Sequence, residues 1–296
     1  MQGNRSEGLS NQRPELGKRV SETTSRTDRS NYMEQLPIYP FVVKNQAILN
    51  FTDQQVAELQ AKAAPFGLDT YYADYMVYPP KGPLPQLANW TGPETYDIWG
   101  DVLDTWNGAH CSSVYDISTQ CPETLDPLGF PLDANSPSYD NFLNNQTGFL
   151  AAINAKPGVT FLACKDDIFD YVGDAPPNEV IMPQLIERSE HVVIGGGDRD
   201  ILLLTMGSEL VIQNLTWGGQ QGFQEGSKTD LVTSEGVRGH YITERSLSLV
   251  EFYYAGRECS SRVRSCANSE DMIPQNDGEA AYKATKYLIG TLDSLA

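Results

Sequence analysis

A glycine-rich turn between two apolar segments is the feature that most constrains the fold of this chain. Residues 191–196 predict a buried strand. The sequence Gly-Gly-Gly-Asp at 195–198 ends this strand in a tight turn, and residues 201–214 carry a helical apolar pattern. The order strand, glycine turn, helix is typical of α/β proteins with a parallel sheet, whose functional sites assemble at the carboxyl edge. We therefore expect Asp198 or Asp200 to lie at that edge.

Two roles suit an acid at this turn. An α/β-hydrolase holds the acid of its catalytic triad in such a turn, where the carboxylate orients a histidine and stabilises its cation. Alternatively, either acid can cap the free N–H groups of a helix that begins at Ile201. A dinucleotide-binding loop is disfavoured, because the pattern Gly195-x-Gly197-x-x-Asp200 lacks the third glycine. The residues alone leave the first two interpretations open.

The other members of a triad are not evident in the sequence. No G-x-S-x-G or S-x-x-K motif occurs. His191 falls at a strand start and is interpreted as structural, and His110 has no acid at a motif spacing. His240 precedes the predicted strand at 247–254, whereas a triad histidine follows that strand in an α/β-hydrolase.

Composition excludes several classes of partner. The net charge of −18 argues against nucleic acid and anionic membrane surfaces. No apolar run has the length of a membrane span, and residues 1–30 lack the apolar region of a secretory signal. The cysteines and histidines show no metal-ligand spacing, which disfavours a zinc site, and we predict neither a metal nor a cofactor.

The chain divides into three regions by composition. Residues 1–30 are polar and predict a disordered tail, 31–150 predict a helical and loop-rich cap, and 151–296 alternate between helix and strand. In the cap, Thr52 and Gln55 form a capping-box pattern whose helix ends at Pro65. Further helices are predicted at 99–106, 149–154, 177–189 and 277–292.

Modification sites give a modest indication of a secretory history. Cys111 and Cys121 lie close enough in sequence to close a loop through a disulfide. Candidate N-glycosylation sequons begin at Asn50, Asn89, Asn145 and Asn214.

Several motifs in a fixed order carry a family resemblance. From about residue 31 to its end the chain resembles the C-terminal half of fungal serine carboxypeptidases. The motifs are Cys111-Ser-Ser-Val-Tyr-Asp-Ile117, Cys121-Pro122, Asp126-Pro-Leu-Gly-Phe-Pro131, Pro183-x-x-Ile186-Glu-Arg-Ser189, Val192-Val-Ile-Gly195, Asp200, Ile212-Gln-Asn-Leu-Thr-Trp217, and Thr243-Glu-Arg-Ser-Leu247.

The resemblance implies a partial α/β-hydrolase fold, namely the C-terminal part of the parallel sheet with flanking helices, plus a mostly helical cap. Members of the family are secreted or vacuolar, use no cofactor, and remove single residues from the C-termini of peptides and proteins. By motif, Asp200 is the triad acid, and Met272 lines the leaving-group pocket.

Two departures from the family pattern concern the chemistry itself. The family's G-E-S-Y segment, which carries the nucleophilic serine, has no counterpart here. Where the family reads A-G-H-M, this chain reads Ala255-Gly256-Arg257, and the pattern resumes at Met272 after an atypical insertion at 257–271. The insertion is interpreted as translated intron sequence, with a genuine loop in a degenerate relative as the alternative.

We therefore expect a serine carboxypeptidase relative that is incomplete and inactive as written. The alternative is a non-catalytic protein that serves as a binding or regulatory partner. The sequence does not indicate an oligomeric state or a preferred C-terminal residue.

Overall fold

The computed structural model describes residues 35–89, 94–107, 116–118, 147–156, 158, 177–256, 277–290, 292, 294 and 295. Several features singled out by the sequence lie outside these residues: the tail at 1–30, His110, Cys111, Cys121, Asn145, the insertion at 257–271, and Met272.

The first described region is helical. Its helices are α1 (Ile38–Lys44), α2 (Gln46–Leu49), α3 (Asp53–Ala63), α4 (Leu68–Tyr75) and α5 (Glu94–Asn107), with a 3₁₀ turn at Ala64–Phe66 between α3 and α4. The predicted capping box of α3 is confirmed. The Thr52 hydroxyl accepts from the Gln55 N–H, and the Gln55 side chain accepts from the Thr52 N–H.

The second described region alternates helices with strands. In chain order it contains α6 (Thr147–Ala152), α7 (Pro177–Arg188), β1 (Val192–Gly197), α8 (Thr205–Asn214), β2 (Thr216–Trp217), β3 (Gln220–Gln221), β4 (Thr229–Thr233), β5 (Gly236–Glu244), β6 (Leu247–Phe252) and α9 (Gly278–Leu288). β2 and β3 form a separate two-stranded ribbon.

The main sheet has the strand order β1-β6-β5-β4. β1 and β6 are parallel, so their carboxyl ends meet at one edge, whereas the β6–β5 and β5–β4 pairs are antiparallel. The α/β class is confirmed, and within it the described sheet is mixed rather than parallel throughout. The difference comes from β4 and β5, a hairpin that the strand and helix pattern did not predict.

Side chains alternate between the two faces of the sheet, as the two-residue period of a strand requires. Tyr241, Val250 and Phe252 pack on one face against Ala280 and Ala284 of α9. The other face packs against α7 and α8 through a second apolar cluster, formed by Ile186, Ile212, Leu215, Trp217, Phe223, Ile242, Leu247 and Leu249. The described core is therefore a sheet between two helical layers.

The helices of the first region pack onto the segment that follows β1. Ile201, Leu204 and Leu210 belong to the same buried cluster as residues of α1 to α5. Trp99 of α5 donates its indole N–H to the carbonyl of Ile201 at 2.9 Å. The helical region thereby fixes the chain beside the glycine turn.

The helix after the glycine turn starts later than its pattern predicts. It was expected at 201–214 and begins at Thr205. The Asp200 carboxylate accepts the N–H groups of Leu202 and Leu203, and this local turn competes with helical hydrogen bonding. The helices at 99–106, 149–154, 177–189 and 277–292 and the strands at 191–196 and 247–254 are confirmed with shifts of a few residues at their ends. Within the described ranges, no helix combines the length and apolarity needed to cross a membrane.

Candidate functional site

The glycines at the end of β1 allow an unusually close approach of neighbouring groups. A Cβ atom on Gly196 would lie 2.4 Å from the hydroxyl oxygen of Thr205. That hydroxyl donates to the carbonyl of Gly197 at 3.0 Å in a buried position. The start of α8 is therefore tied directly to the end of β1.

The turns after β1 and β6 are joined by hydrogen bonds around Ala255. The Arg199 N–H donates to the carbonyl of Ala255 at 2.9 Å, and the Ala255 N–H donates to the Asp198 carboxylate at 3.2 Å. Burial raises the pKa of Asp198, and the hydrogen bond from Ala255 opposes that rise in part. The acid turn at 198–200 and the segment Ala255-Gly256 are thus one structural unit.

Asp200 is the more deeply buried of the two acids, with 3% of its surface exposed. Its Oδ1 atom accepts from the backbone N–H of Leu202 at 2.8 Å and of Leu203 at 3.0 Å. The N-cap position of α8 is Leu204, which provides no side-chain cap. Neither acid is therefore the N-cap of α8, which begins at Thr205, so that part of the interpretation is wrong. Asp200 does accept free N–H groups just after Ile201, as the same interpretation expected.

Two histidines lie in the described structure, and the sequence suggested neither for a triad. His191 is exposed just before β1, and its ring lies 5.0 Å from that of Tyr287. His240 lies in β5, where Nδ1 is 2.8 Å from the Tyr253 hydroxyl and Nε2 is 3.3 Å from the Glu251 carboxylate. Burial lowers the pKa of His240, and the charge of Glu251 opposes that effect.

His240 is also remote from the strand that carries the acid turn. Gly196 of β1 pairs with Glu251 of β6, which in turn pairs with His240 of β5. Two strand spacings separate His240 from β1, a distance of about 10 Å.

A buried polar group on α8 escaped the sequence analysis. Glu209 is 5% exposed, and its carboxylate accepts from the hydroxyls of Tyr72 at 2.7 Å and Tyr78 at 2.5 Å. The Lys228 ammonium lies 3.3 Å from the same carboxylate. Burial and the charge of Glu209 raise the pKa of both tyrosines. The tyrosine-rich segment at 71–78 was the available signal, but the sequence offered no partner for it.

A second ion pair lies beside this group. The Lys44 ammonium donates to the Glu251 carboxylate at 3.2 Å, and that carboxylate also faces His240. Lys44, Lys228, Glu209, Glu251 and His240 all line one cavity of about 120 Å³. We call this the polar cavity. Its wall also contains Tyr72, Thr205, Met206, Ile242 and Leu249.

The described sequon residues differ in accessibility. Asn50 is exposed at the left-handed end of α2, and Asn89 is exposed, with its amide donating to the carbonyl of Pro65. The Asn214 side chain is partly buried and accepts from the Leu84 N–H at 2.9 Å. Among the described residues, no group of three or more histidine, cysteine or acidic side chains has a geometry that could hold a metal ion.

Comparison with known proteins gives consistent matches. A family model described as serine carboxypeptidase matches residues 85–273. A probable serine carboxypeptidase of Arthroderma benhamiae is 33% identical over 286 residues, which cover 91% of this chain and 51% of the relative. Serine-type carboxypeptidase F of Aspergillus niger is 30% identical over 296 residues, which cover 88% of this chain and 52% of the relative.

Among solved structures, Kex1(delta)P, a prohormone-processing carboxypeptidase from Saccharomyces cerevisiae, aligns with 19% identity and a TM-score of 0.45. That alignment covers 76% of this chain and 48% of the solved one. The chain spans about half the length of the curated relatives it matches.

Proposed function

This chain belongs to the serine carboxypeptidase family, and we propose that it carries the acid-bearing part of a carboxypeptidase site, with Asp200 as the acid that orients a histidine. One observation carries the proposal: the acid turn is hydrogen-bonded to Ala255, two residues before the position where the family motif has its histidine. The parallel pairing of β1 and β6 brings both turns to the same edge of the sheet.

In the chemistry of such a site, the role of Asp200 is to hold a histidine ring in position. In acyl transfer by a serine hydrolase, serine attacks the carbonyl, histidine accepts its proton, and the acid fixes the imidazole and stabilises its cation. Two backbone N–H groups hold the Asp200 carboxylate in one orientation, and its burial weakens dielectric screening. A carboxylate held in this way is suited to fixing a partner ring.

We further propose that the chain as written does not hydrolyse peptides. Its sequence contains neither G-x-S-x-G nor G-E-S-Y, and Arg257 follows Gly256 where the resemblance requires histidine. A protein with the complete site would take peptide C-termini as substrates in a secretory or vacuolar compartment, and both of these statements rest on family membership.

A fluorophosphonate probe and a blocked dipeptide such as carbobenzoxy-Phe-Leu test the absence of catalysis in the purified full chain. We expect no labelling of serine and no release of leucine. Labelling that disappears in the Asp200→Ala variant would instead show a working nucleophile and overturn the proposal of inactivity.

The role of Asp200 is tested separately by introducing an imidazole in the variant Arg257→His. The pKa of the introduced imidazole is measured by NMR in this variant and in the double variant that also carries Asp200→Asn. A neighbouring carboxylate favours the protonated ring, so we expect the pKa to be higher by about 1 when Asp200 is present. The matched control is Asp198→Asn in the same Arg257→His background, which should change the pKa less. Equal values with and without Asp200 would contradict the assignment.

A non-catalytic binding protein is the second candidate function. The polar cavity favours it, because the described residues that line the cavity do not include the acid turn. A cooperative thermal melt of the purified chain supports this candidate, and aggregation without a folded baseline contradicts it.

A further inference from the structure

We propose that the polar cavity binds a small carboxylate whose remaining group is apolar. The cavity lies where α1, α4 and α8 meet one face of the sheet, with Lys44 at the end of α1 and Lys228 just before β4. Binding there requires no hydrolysis, so the proposal does not depend on catalysis by this chain.

The two lysines provide unused hydrogen-bond donors. An ammonium group has three N–H donors. Among the described residues, Lys44 contacts the carboxylate of Glu251 at 3.2 Å and Lys228 contacts that of Glu209 at 3.3 Å. The side chains are 47% and 39% exposed, so both ammonium groups can contact a molecule that enters the cavity.

The two glutamates, by contrast, already have several donors each. Glu209 accepts from two tyrosine hydroxyls and faces Lys228, while Glu251 accepts from Lys44 and faces His240. The hydrogen-bonding groups available to a ligand in the cavity are therefore the N–H donors of the two lysines. Such donors favour binding of an anion over a cation.

The remaining wall of the cavity selects an anion that carries an apolar group. Met206, Ile242 and Leu249 line the cavity beside the charged residues. The cavity has a volume of about 120 Å³, whereas a cavity that holds one water molecule needs only roughly 15 Å³. It is therefore large enough for a molecule bigger than water. A carboxylate with a leucine-sized side chain suits this combination better than inorganic phosphate, which would leave the apolar wall uncovered.

The charge of the cavity gives the binding a pH dependence. With His240 neutral, two lysines and two glutamates cancel, and protonation of His240 adds one positive charge. The affinity for a carboxylate should therefore rise as the pH falls below about 6.5, until the ligand itself is protonated near pH 3.5. The groups that face His240 are Glu251 from β6, Tyr253 just after β6, Glu209 from α8, Asp230 from β4, Lys44 and Lys228.

Calorimetric titration of the full chain tests the proposal with three ligands. N-acetyl-leucine has the carboxylate without an ammonium group and represents a peptide C-terminus, free leucine has both groups, and leucinamide has no carboxylate. We expect N-acetyl-leucine to bind most tightly, free leucine more weakly because the glutamates are occupied, and leucinamide not at all. Tighter binding of free leucine would identify a released amino acid as the ligand and would overturn the preference for an acylated one.

Substitutions then locate the binding. Lys44→Met combined with Lys228→Met should weaken N-acetyl-leucine binding by about tenfold. The matched control is Lys62→Met, since Lys62 pairs with Asp101 on the exposed surface away from the cavity. Equal affinity in the double variant and the control would overturn the proposal.

A second variant fills the cavity without changing its charge. Met206→Trp should abolish binding while its circular dichroism and thermal melt remain those of a folded chain. Retained binding in this variant, no binding of N-acetyl-leucine by the wild-type chain, or equally tight binding of inorganic phosphate would each contradict the assignment.

Discussion

Gly197 and Ala255 approach so closely that a Cβ atom on Gly197 would lie 2.0 Å from the carbonyl oxygen of Ala255. The same carbonyl accepts the N–H of Arg199 at 2.9 Å. The carboxyl ends of β1 and β6 are thus joined backbone to backbone, and this junction sets the position of the acid turn.

The first prediction is that Gly197→Ala destabilises the chain by about 3 kcal/mol, because the new methyl group forces the junction apart. Urea unfolding followed by circular dichroism measures the change. Gly100→Ala is the matched control. No neighbouring group lies within 4 Å of its added Cβ, and Gly100 sits inside α5, where alanine should stabilise by about 0.5–1 kcal/mol. Similar effects of the two substitutions would contradict the close approach.

The second prediction concerns the structural contribution of Asp200. Asp200→Ala leaves the N–H groups of Leu202 and Leu203 without their acceptor and should cost about 2 kcal/mol, whereas Asp200→Asn keeps an acceptor oxygen and should cost about 1 kcal/mol. Urea unfolding of both variants tests this order. The control is Asp104→Ala at an exposed position of α5, which should not destabilise the chain. An Asn variant as unstable as the Ala variant would show that these hydrogen bonds do not hold the turn.

Local patterns in the sequence were sufficient for much of the fold. The capping box at Thr52 and Gln55 acts within one helical turn, and the strand of 191–196 leads directly into its glycine turn. The acid at the carboxyl edge was predictable for the same reason, since strand, turn and acid are contiguous.

The β4–β5 hairpin was missed because its sequence weakens the strand signal. Val232 and Val237 are exposed near its tip, so the apolar alternation does not mark one buried face. Gly239 interrupts β5 with a residue of low strand propensity. Its lack of a side chain is required by packing, since a Cβ there would lie 2.3 Å from the Glu251 carbonyl oxygen.

The polar cavity was not predictable from local sequence because its contacts connect distant parts of the chain. Tyr72 and Glu209 are 137 residues apart, and Lys44 and Glu251 are 207 residues apart. Only the packing of the helical region on the sheet brings these side chains together.

The third prediction uses the raised pKa of Asp198. A carboxyl group with a higher pKa in the folded state binds its proton more tightly there, so folding disfavours its ionised form. The resulting loss of stability is absent below the ordinary value of 3.8, develops as the pH rises through the folded pKa, and persists at neutral pH. Asp198→Asn removes the charge and keeps an acceptor for Ala255, so it should raise the melting temperature at pH 7 and have little effect at pH 3. A lower melting temperature at pH 7 would contradict this reasoning.

The fourth prediction is that Tyr72 and Glu209 are energetically coupled. The hydrogen bond from a hydroxyl to a buried carboxylate should contribute about 1.5–3 kcal/mol. A double-mutant cycle with Tyr72→Phe and Glu209→Gln, measured by urea unfolding, isolates this contribution. The control cycle pairs Tyr75→Phe with Glu209→Gln, since Tyr75 packs its ring against Tyr71. A coupling no larger than that of the control would contradict the contact.

The fifth prediction follows from the buried position of His240. Its folded-state pKa lies below the ordinary value of 6.5, because burial disfavours the charged ring more than Glu251 favours it. The unfolded chain therefore binds more protons than the folded chain as the pH falls from about 6.5 toward the folded pKa, and His240 makes stability decline over that window.

His240→Gln removes this titration and retains a donor for Glu251, so its stability should fall less steeply across the window. Urea unfolding at several pH values measures both slopes, with substitution of the exposed His191 by glutamine as the control. If His240→Gln and the wild type lose stability in parallel, the acid sensitivity of this chain originates elsewhere. If the variant is the steeper of the two, protonated His240 stabilises the fold through Glu251, and the direction assigned to its pKa is wrong.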